Sequence, residues 1–334
     1  MRPVAVGIDT SAYTCSVAVM DLRGELLSDV RIPLEVRPGE LGLRQAEAVY
    51  QHVRRLPEAV AKAFDPSFPQ MNVRAVAVSR TPRPQEDSFM PVFLVGHAVA
   101  SVIASTHGVP CWEASHQEGH IWAALWALPP MEMTDILAVH LSGGTTEAVL
   151  VQGVGQEHRI RPRLSIVAAT GDISAGQFVD RVGNALGLPF PAGPHLERLA
   201  EGGEPGSMPL PVSVQDVKLS FSGPESAARR AIALGATPAE VARGTLECLA
   251  KSLELWLSAV VSQTGVKGIV LAGGVVANRL VRRSLASSER LAGCRLWFAP
   301  PKLSGDNAVG LAAWAAARLS GGPIAALPGR SPVR

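Results

Sequence analysis

Along this chain, apolar runs and polar breaks follow one another in an order that occurs twice. From Val4 to Asp9 an apolar run of strand length ends in small polar residues, Thr10 and Ser11. A second strand follows over Cys15 to Met20, then a turn at Arg23-Gly24 and a third strand over Glu25 to Ile32. The succession returns at Ile136 to Leu141, broken by Ser142-Gly143-Gly144-Thr145-Thr146. A strand over Glu147 to Gln152, a turn at Gly153 to Gly155 and a third strand over Arg161 to Val167 complete the second copy. Short runs rich in β-branched residues and bounded by turn formers predict strands.

Both copies continue with alternating helices and strands. In the first, Val73 to Ser79 predicts a strand, Val92 to Thr106 a helix and Val109 to Ala114 another strand. In the second, Pro238 to Thr264 predicts a long helix, Gly268 to Ala272 a strand, Ala277 to Ser287 a helix and Arg295 to Ala299 a strand, before a last helix over Asp306 to Leu319. This is the layout of an α/β, two-lobed actin-like ATPase (ASKHA) fold with duplicated βββαβαβα lobes. The division expected is 1–133 for the N-terminal lobe and 134–334 for the C-terminal lobe, a return of the last helix to the first lobe being open.

In such a layout two facing hairpins of small residues offer backbone N–H groups to phosphate oxygens. Ser142-Gly143-Gly144 suits this better than Thr10-Ser11-Ala12, since glycine lets an anion approach the backbone closely. Taken alone the glycine pair is an ordinary β-turn, and the repeat in register is what turns the reading toward a nucleotide.

Composition narrows the class. At 334 residues, 47% apolar and 18% charged, the chain has enough core for two lobes and is not disordered. A net charge of +2 permits a nucleic-acid partner without requiring one. The arginine groups at 159, 161 and 163, at 229 and 230, and at 279, 282 and 283 read first as solvated faces. Cys15, Cys111, Cys248 and Cys294 form no CxxC pair, which points to free thiols in a reducing compartment. The opening run Pro3 to Ile8 reads as a strand rather than a leader, and no apolar run reaches the ~18–20 residues of a bilayer span. A cytoplasmic protein with no membrane partner is the expectation.

His116-Gln117-Glu118-Gly119-His120 sets two imidazoles four residues apart, so on a helix both rings can reach one ion. No third ligand lies nearby, and a helix-face or capping pair remains open. Peptidase chemistry does not fit: Glu118 stands about 200° round the helix from His116, away from the ligand face. Asp306, after Ser304-Gly305, reads in isolation as a helix N-cap. In an actin-like layout it would face the cleft, where an Asp serves a metal or phosphates.

These motifs together resemble the catalytic subunit family of tRNA N6-threonylcarbamoyladenosine synthase, once described as a glycoprotease. His116-x-x-Gly119-His120 looks like its HxxGH motif and Leu141-Ser142-Gly143-Gly144 like its nucleotide loop. Gly176 to Leu188, with Asp180-Arg181, is similar to its GEAFDK-to-LGL segment, and Pro191-Ala192-Gly193-Pro194 to its PGGP turn. Gly273-Gly274-Val275-Val276-Ala277-Asn278-Arg279 resembles GGVxAN, and Asp306-Asn307-Ala308 the terminal DNA motif.

The resemblance implies transfer of a threonylcarbamoyl group from threonylcarbamoyl-adenylate to N6 of the adenosine next to the tRNA anticodon. It implies a divalent metal (Fe or Zn) on His116, His120 and Asp306. His140, Leu141, Ser142, Gly143 and Gly144 would cradle the phosphate of an adenine nucleotide (ATP or threonylcarbamoyl-AMP). Asp180, Gly193 and Asn278 would meet ribose and base. The implied partners are tRNA and the proteins of a threonylcarbamoyl-transfer complex, an inactive actin-like paralogue among them.

Departures from the family pattern keep other readings open. Ala12-Tyr13-Thr14 stands for Cys-Asp-Glu, the segment Thr81 to Ser88 for a Gly-Pro-Gly-Leu loop, and Val-Pro-Glu is missing near Pro38-Gly39-Glu40-Leu41. SGGHT has become Ser142-Gly143-Gly144-Thr145-Thr146, Gln177 replaces a Glu, and FSGLKT has become Phe221-Ser222-Gly223-Pro224-Glu225-Ser226. A nucleotide- and metal-binding paralogue serving as scaffold or regulator is one alternative, and a small-molecule carbamoyltransferase or kinase another.

Overall fold

The computed structural model describes residues 1–36, 43–65, 70–85, 88–129, 133–154, 162–324 and 327. Pro38 to Leu41, Glu86, Asp87, Gly155, Arg159 and Arg161, on which some of the readings above fall, lie outside these.

The chain opens with an antiparallel meander of β1 (Arg2–Thr10), β2 (Thr14–Asp21) and β3 (Leu26–Pro33). Then α1 (Gln45–Ala63), β4 (Met71–Thr81), α2 (Val92–His107), β5 (Cys111–Ser115) and α3 (His116–Ala127) alternate. The sheet runs β3-β2-β1-β4-β5, with β4 parallel to β1 and β5 parallel to β4.

A second sheet repeats this. β6 (Asp135–Leu141), β7 (Thr146–Gln152) and β8 (Arg163–Ala169) form the meander. Next come α4 (Ala175–Ala185), α5 (Gly193–Ala200), the two-stranded ribbon β9 (Ser213–Gln215) and β10 (Lys218–Ser220), and α6 (Ser222–Ala233). The alternation resumes with α7 (Pro238–Thr264), β11 (Gly268–Ala272), α8 (Arg279–Ala286) and β12 (Arg295–Phe298). Strand order is β8-β7-β6-β11-β12, the first sheet's order strand for strand. The final helix is α9 (Val309–Ser320).

Two compact units result, one of Met1–Thr134, Gly153–Pro162 and Gly305–Arg334, the other of Asp135–Gln152 and Arg163–Ser304. In the first, Val4, Val6 and Ile8 pack with Leu56, Ala59, Phe93 and Ala100 from α1 and α2. Side chains alternate along a strand, so Gly7 faces the opposite side, where α9 lies. A Cβ on Gly7 would stand 2.3 Å from the Ala308 carbonyl, so this contact requires glycine. Trp314 of α9 stacks on Trp122 of α3 with ring centroids 4.5 Å apart. In the second unit Leu137, Val139, Phe178, Leu249 and Trp256 share one core, and Phe178 stacks on Phe221.

Where local chemistry is strong, element ends fall as expected. α7 has the predicted bounds because Thr237 and Glu240 form a capping box, Pro238 opens the first turn and left-handed Gly265 ends the last. Most other starts differ from those expected by one to three residues, three of them as follows. β5 begins at Cys111 rather than Val109. α8 begins at Arg279, because Asn278 Oδ1 accepts from Val281 N–H and a 3-10 turn occupies Gly274–Ala277. The last helix begins at Val309, not Asp306, because Asn307 Oδ1 accepts from Val309 N–H.

Candidate functional site

Ser115 opens α3 with a capping box: its Oγ accepts from Glu118 N–H at 3.2 Å, and Glu118 Oε2 accepts from Ser115 N–H at 2.7 Å. Glu118 is thus committed to the helix start. His116 and His120, one turn apart, lie edge to face at 4.5 Å between centroids.

Asp306 joins them through the packing of α9. At the crossing with α3, a Cβ on Gly310 would stand 1.9 Å from the Gly119 carbonyl, so the helices meet backbone to backbone. The N-cap reading of Asp306 is therefore corrected: its Oδ1 lies 3.4 Å from His116 Nε2 and 3.5 Å from His120 Nε2, and those two nitrogens are 3.1 Å apart. All three side chains belong to the first unit.

Two further residues, read in the sequence as the end of the first strand and, for Ser11, as part of a small-residue hairpin, complete the arrangement. Asp9 at the end of β1 is 1% exposed, and its Oδ1 lies 2.9 Å from His116 Nδ1. The carboxylate fixes the proton on Nδ1 and turns the Nε2 lone pair toward His120 and Asp306. Ser11 Oγ donates to Asp306 Oδ2 at 2.7 Å, which leaves Oδ1 for the imidazoles. Thr10, by contrast, ties β1 to α2 by donating to the Val92 carbonyl and accepting from Gly96 N–H. The signal for Asp9 and Ser11 was an apolar strand ending in Asp-Thr-Ser, but Asp9 lies 107 residues before His116 and their partners are set by topology.

Two lone pairs and a carboxylate aimed at one point need a positive charge between them. Without an ion, a proton serves. Burial opposes charge on His116, yet the Asp9 and Asp306 carboxylates outweigh it and hold its pKa well above the ordinary imidazole value. Burial likewise works to raise Asp306, and the two imidazoles more than offset it, holding the carboxyl well below its usual range. A metal fits equally well. Ligands about 2.1 Å from one ion lie about 3.0–3.4 Å apart at octahedral or tetrahedral angles, close to the three separations found. His120 is 4% exposed at its side chain, against 19% for His116 and 24% for Asp306, so access is from the His116–Asp306 side.

In the second unit Ser142 to Thr145 form the tight turn between β6 and β7, closed by Ser142 N–H to the Thr145 carbonyl at 2.8 Å. His140 and Leu141 are the last residues of β6, both buried. Gly143 and Gly144 are exposed, and a Cβ on either would meet nothing within 4 Å. The start of α4 is bound to this turn: Ser174 Oγ donates to the Gly143 carbonyl at 2.7 Å, and Gly176 N–H to the Ser142 carbonyl at 3.1 Å. A Cβ on Gly176 would lie 2.5 Å from that carbonyl. At the Glu-to-Gln departure, Gln177 closes the capping box with Ser174. Likewise the acid at Glu225 is neutralised within α6 by Arg229.

The remaining candidates have structural duties. Asp180 Oδ1 accepts from Ala192 N–H at 2.8 Å, which fixes the turn leading to Gly193, the first residue of α5. Burial raises the Asp180 pKa, and that hydrogen bond opposes the rise. Asn278 is the N-cap of α8, and Gly273, five residues earlier, abuts the Leu141 carbonyl.

Comparison with known proteins matches a family model described as tRNA N6-adenosine threonylcarbamoyltransferase over residues 34–313. A protein of that name from Aromatoleum aromaticum is 31% identical over 326 residues, covering 95% of this chain and 92% of the relative. Another from Methanopyrus kandleri is 30% identical over 314 residues, covering 93% and 86%. Among solved structures, the activator of the 2-hydroxyisocaproyl-CoA dehydratase from Clostridium difficile, with bound ADPNP, aligns at TM-score 0.53 and 14% identity over 95% of this chain and 96% of that one. That likeness shows the fold alone, and the fold is actin-like.

Proposed function

The chain belongs to the tRNA N6-adenosine threonylcarbamoyltransferase family, and from that premise we propose that it transfers a threonylcarbamoyl group from threonylcarbamoyl-adenylate to N6 of the adenosine at position 37 of tRNA. In this transfer the N6 nitrogen attacks the carbamoyl carbon and loses a proton. The bond from that carbon to the phosphate oxygen breaks, and AMP leaves with the electron pair. The observation that carries the reading is the meeting of His116, His120 and Asp306, with His116 oriented by Asp9 and Asp306 by Ser11.

In this reading a divalent ion is held by His116 Nε2, His120 Nε2 and Asp306 Oδ1, a two-His, one-carboxylate set that suits Fe(II) or Zn(II). Bound there, such an ion supplies Lewis-acid polarisation of a carbonyl or phosphoryl oxygen. The chain's own groups do the rest of the positioning. The Gly143 and Gly144 backbone is open to phosphate oxygens, and the α4 N-terminus behind it favours an anion. Asp180 and Asn278 commit Oδ1 to the backbone, so in this reading ribose and base are met by Asp180 Oδ2, Asn278 Nδ2 and Gly193. Among the described residues no helix is long and apolar enough to cross a membrane. The reading places the protein in the cytoplasm with tRNA and with the other proteins of the transfer complex, an inactive actin-like paralogue among them.

The test is to incubate the purified protein and its partner proteins with ATP, threonine, bicarbonate and unmodified tRNA, then to digest the tRNA and analyse its nucleosides by mass spectrometry. N6-threonylcarbamoyladenosine is the expected product. Its absence under conditions where a family relative makes it overturns the proposal in favour of the scaffold reading.

A further inference from the structure

α1 carries a histidine that its helical neighbours do not explain. His52 is fully buried, and its Nε2 lies 2.7 Å from the Ser11 carbonyl. A carbonyl only accepts, so Nε2 carries the proton and Nδ1 is a bare acceptor. That Nδ1 has no hydrogen-bond partner among the described residues. Burying an acceptor without a donor is unfavourable. An aliphatic side chain of similar size would fill this space without that cost, so packing does not account for a histidine here. What histidine offers is the N–H directed at Ser11.

Ser11 is the residue whose Oγ donates to Asp306 Oδ2 at 2.7 Å. Its main chain is thus held from one side by His52 while its side chain holds Asp306 on the other. We propose that His52 is a positioning residue of the candidate metal centre, acting through Ser11 to keep Asp306 Oδ1 aimed at the point that His116 and His120 share. The inference rests on the metal-centre reading above. It extends that centre by one shell, from the α3 and α9 side chains to α1 on the other face of the first sheet. Partners that orient a metal ligand typically change metal affinity about 10–100-fold when removed.

Three variants separate this from a structural role, read by titration of the metal-free protein with Co(II) and by the visible absorption bands of the bound ion. The wild type is expected to bind one equivalent. His52→Leu removes the N–H and is expected to weaken Co(II) binding about tenfold or more and to shift the bands. His52→Gln restores a donor at the Nε2 position and is expected to return affinity to within about threefold of wild type. Ser11→Ala is expected to behave as His52→Leu does. The double variant is expected to be no weaker than either single one, because one path is cut only once.

Wild-type Co(II) affinity in a folded His52→Leu protein overturns the proposal. So does full affinity in Ser11→Ala alone, which also decides the matter if His52→Leu does not fold. Should the wild type itself fail to bind Co(II), the metal centre falls first and the relay with it.

Discussion

The two sheets end their first strands in different chemistry. At the end of β1, Asp9, Thr10 and Ser11 spend their side chains on the protein: on His116, on α2 and on Asp306. At the equivalent end of β6, Ser142, Gly143 and Gly144 leave the backbone of the turn exposed, and its geometry is set by α4. One topology therefore yields a centre built from side chains in the first unit and a turn with open N–H groups in the second. The divergence lies in a few residues after the same strand, where side chains leave the sheet and are free to be changed without disturbing its core.

This contrast can be broken from either end. The largest effect is expected from His116→Ala combined with His120→Ala. Bound metal should fall from one equivalent to none by elemental analysis, with transfer activity lost by roughly two orders of magnitude or more. Circular dichroism should stay unchanged, because the first sheet and the cap of α3 at Ser115 do not depend on either ring. Stoichiometric metal in the double variant would dissolve the first half of the comparison.

Gly176→Ala attacks the other half. Its new Cβ must displace the backbone of Ser142 and Gly143, an overpacking that costs about 1–3 kcal/mol. Weaker nucleotide binding by calorimetry is expected, with metal content unaltered. Equal losses in both would mean that the two sites are not separable.

The pH response sharpens the comparison further. In metal-free protein His116 has a raised pKa, so its pairing contributes stability that is complete below about pH 6.5 and is lost as pH climbs through the raised value. Asp306, with a depressed pKa, contributes stability above about pH 4 that is lost as pH falls through the depressed value. Thermal melts of chelator-treated protein should therefore drop on the alkaline side, and His116→Gln should remove that drop. Since metal must displace the His116 proton, the loaded protein should instead gain stability with rising pH.

The smallest effect belongs to Asp172, which accepts from Phe221 and Ser222 N–H at the start of α6. Burial works to raise its pKa, but the bonds from Ser220, Ser222 and Phe221 prevail and lower it to about 2. Its stabilisation is thus present above about pH 4 and lost toward pH 2. Asp172 is exposed and screened by solvent, so Asp172→Asn should cost about 1 kcal/mol or less in urea melts at pH 7. The difference from wild type should vanish near pH 2.

Legibility followed locality. The meanders and α7 could be read because strand alternation, capping boxes and left-handed glycines are written within a few residues. The stretch from α4 to α6 yielded motifs but no elements, since β9 and β10 have only three residues each and pair mainly with one another. Asp180 and Asn278 were candidates for ribose and base, yet their immediate duties are a turn and a helix cap.

By itself the sequence determined the duplicated order of elements and the placing of two imidazoles on one face of α3, because hydrogen bonding within a turn and a spacing of four residues are enough for both. Only tertiary structure decided that Asp306 and Asp9 meet those rings, that Ser11 reaches Asp306 and that His52 reaches Ser11. Their partners are supplied by distant elements that meet where Gly7 and Gly310 let backbones touch, and no local rule encodes which helix returns to fill that space.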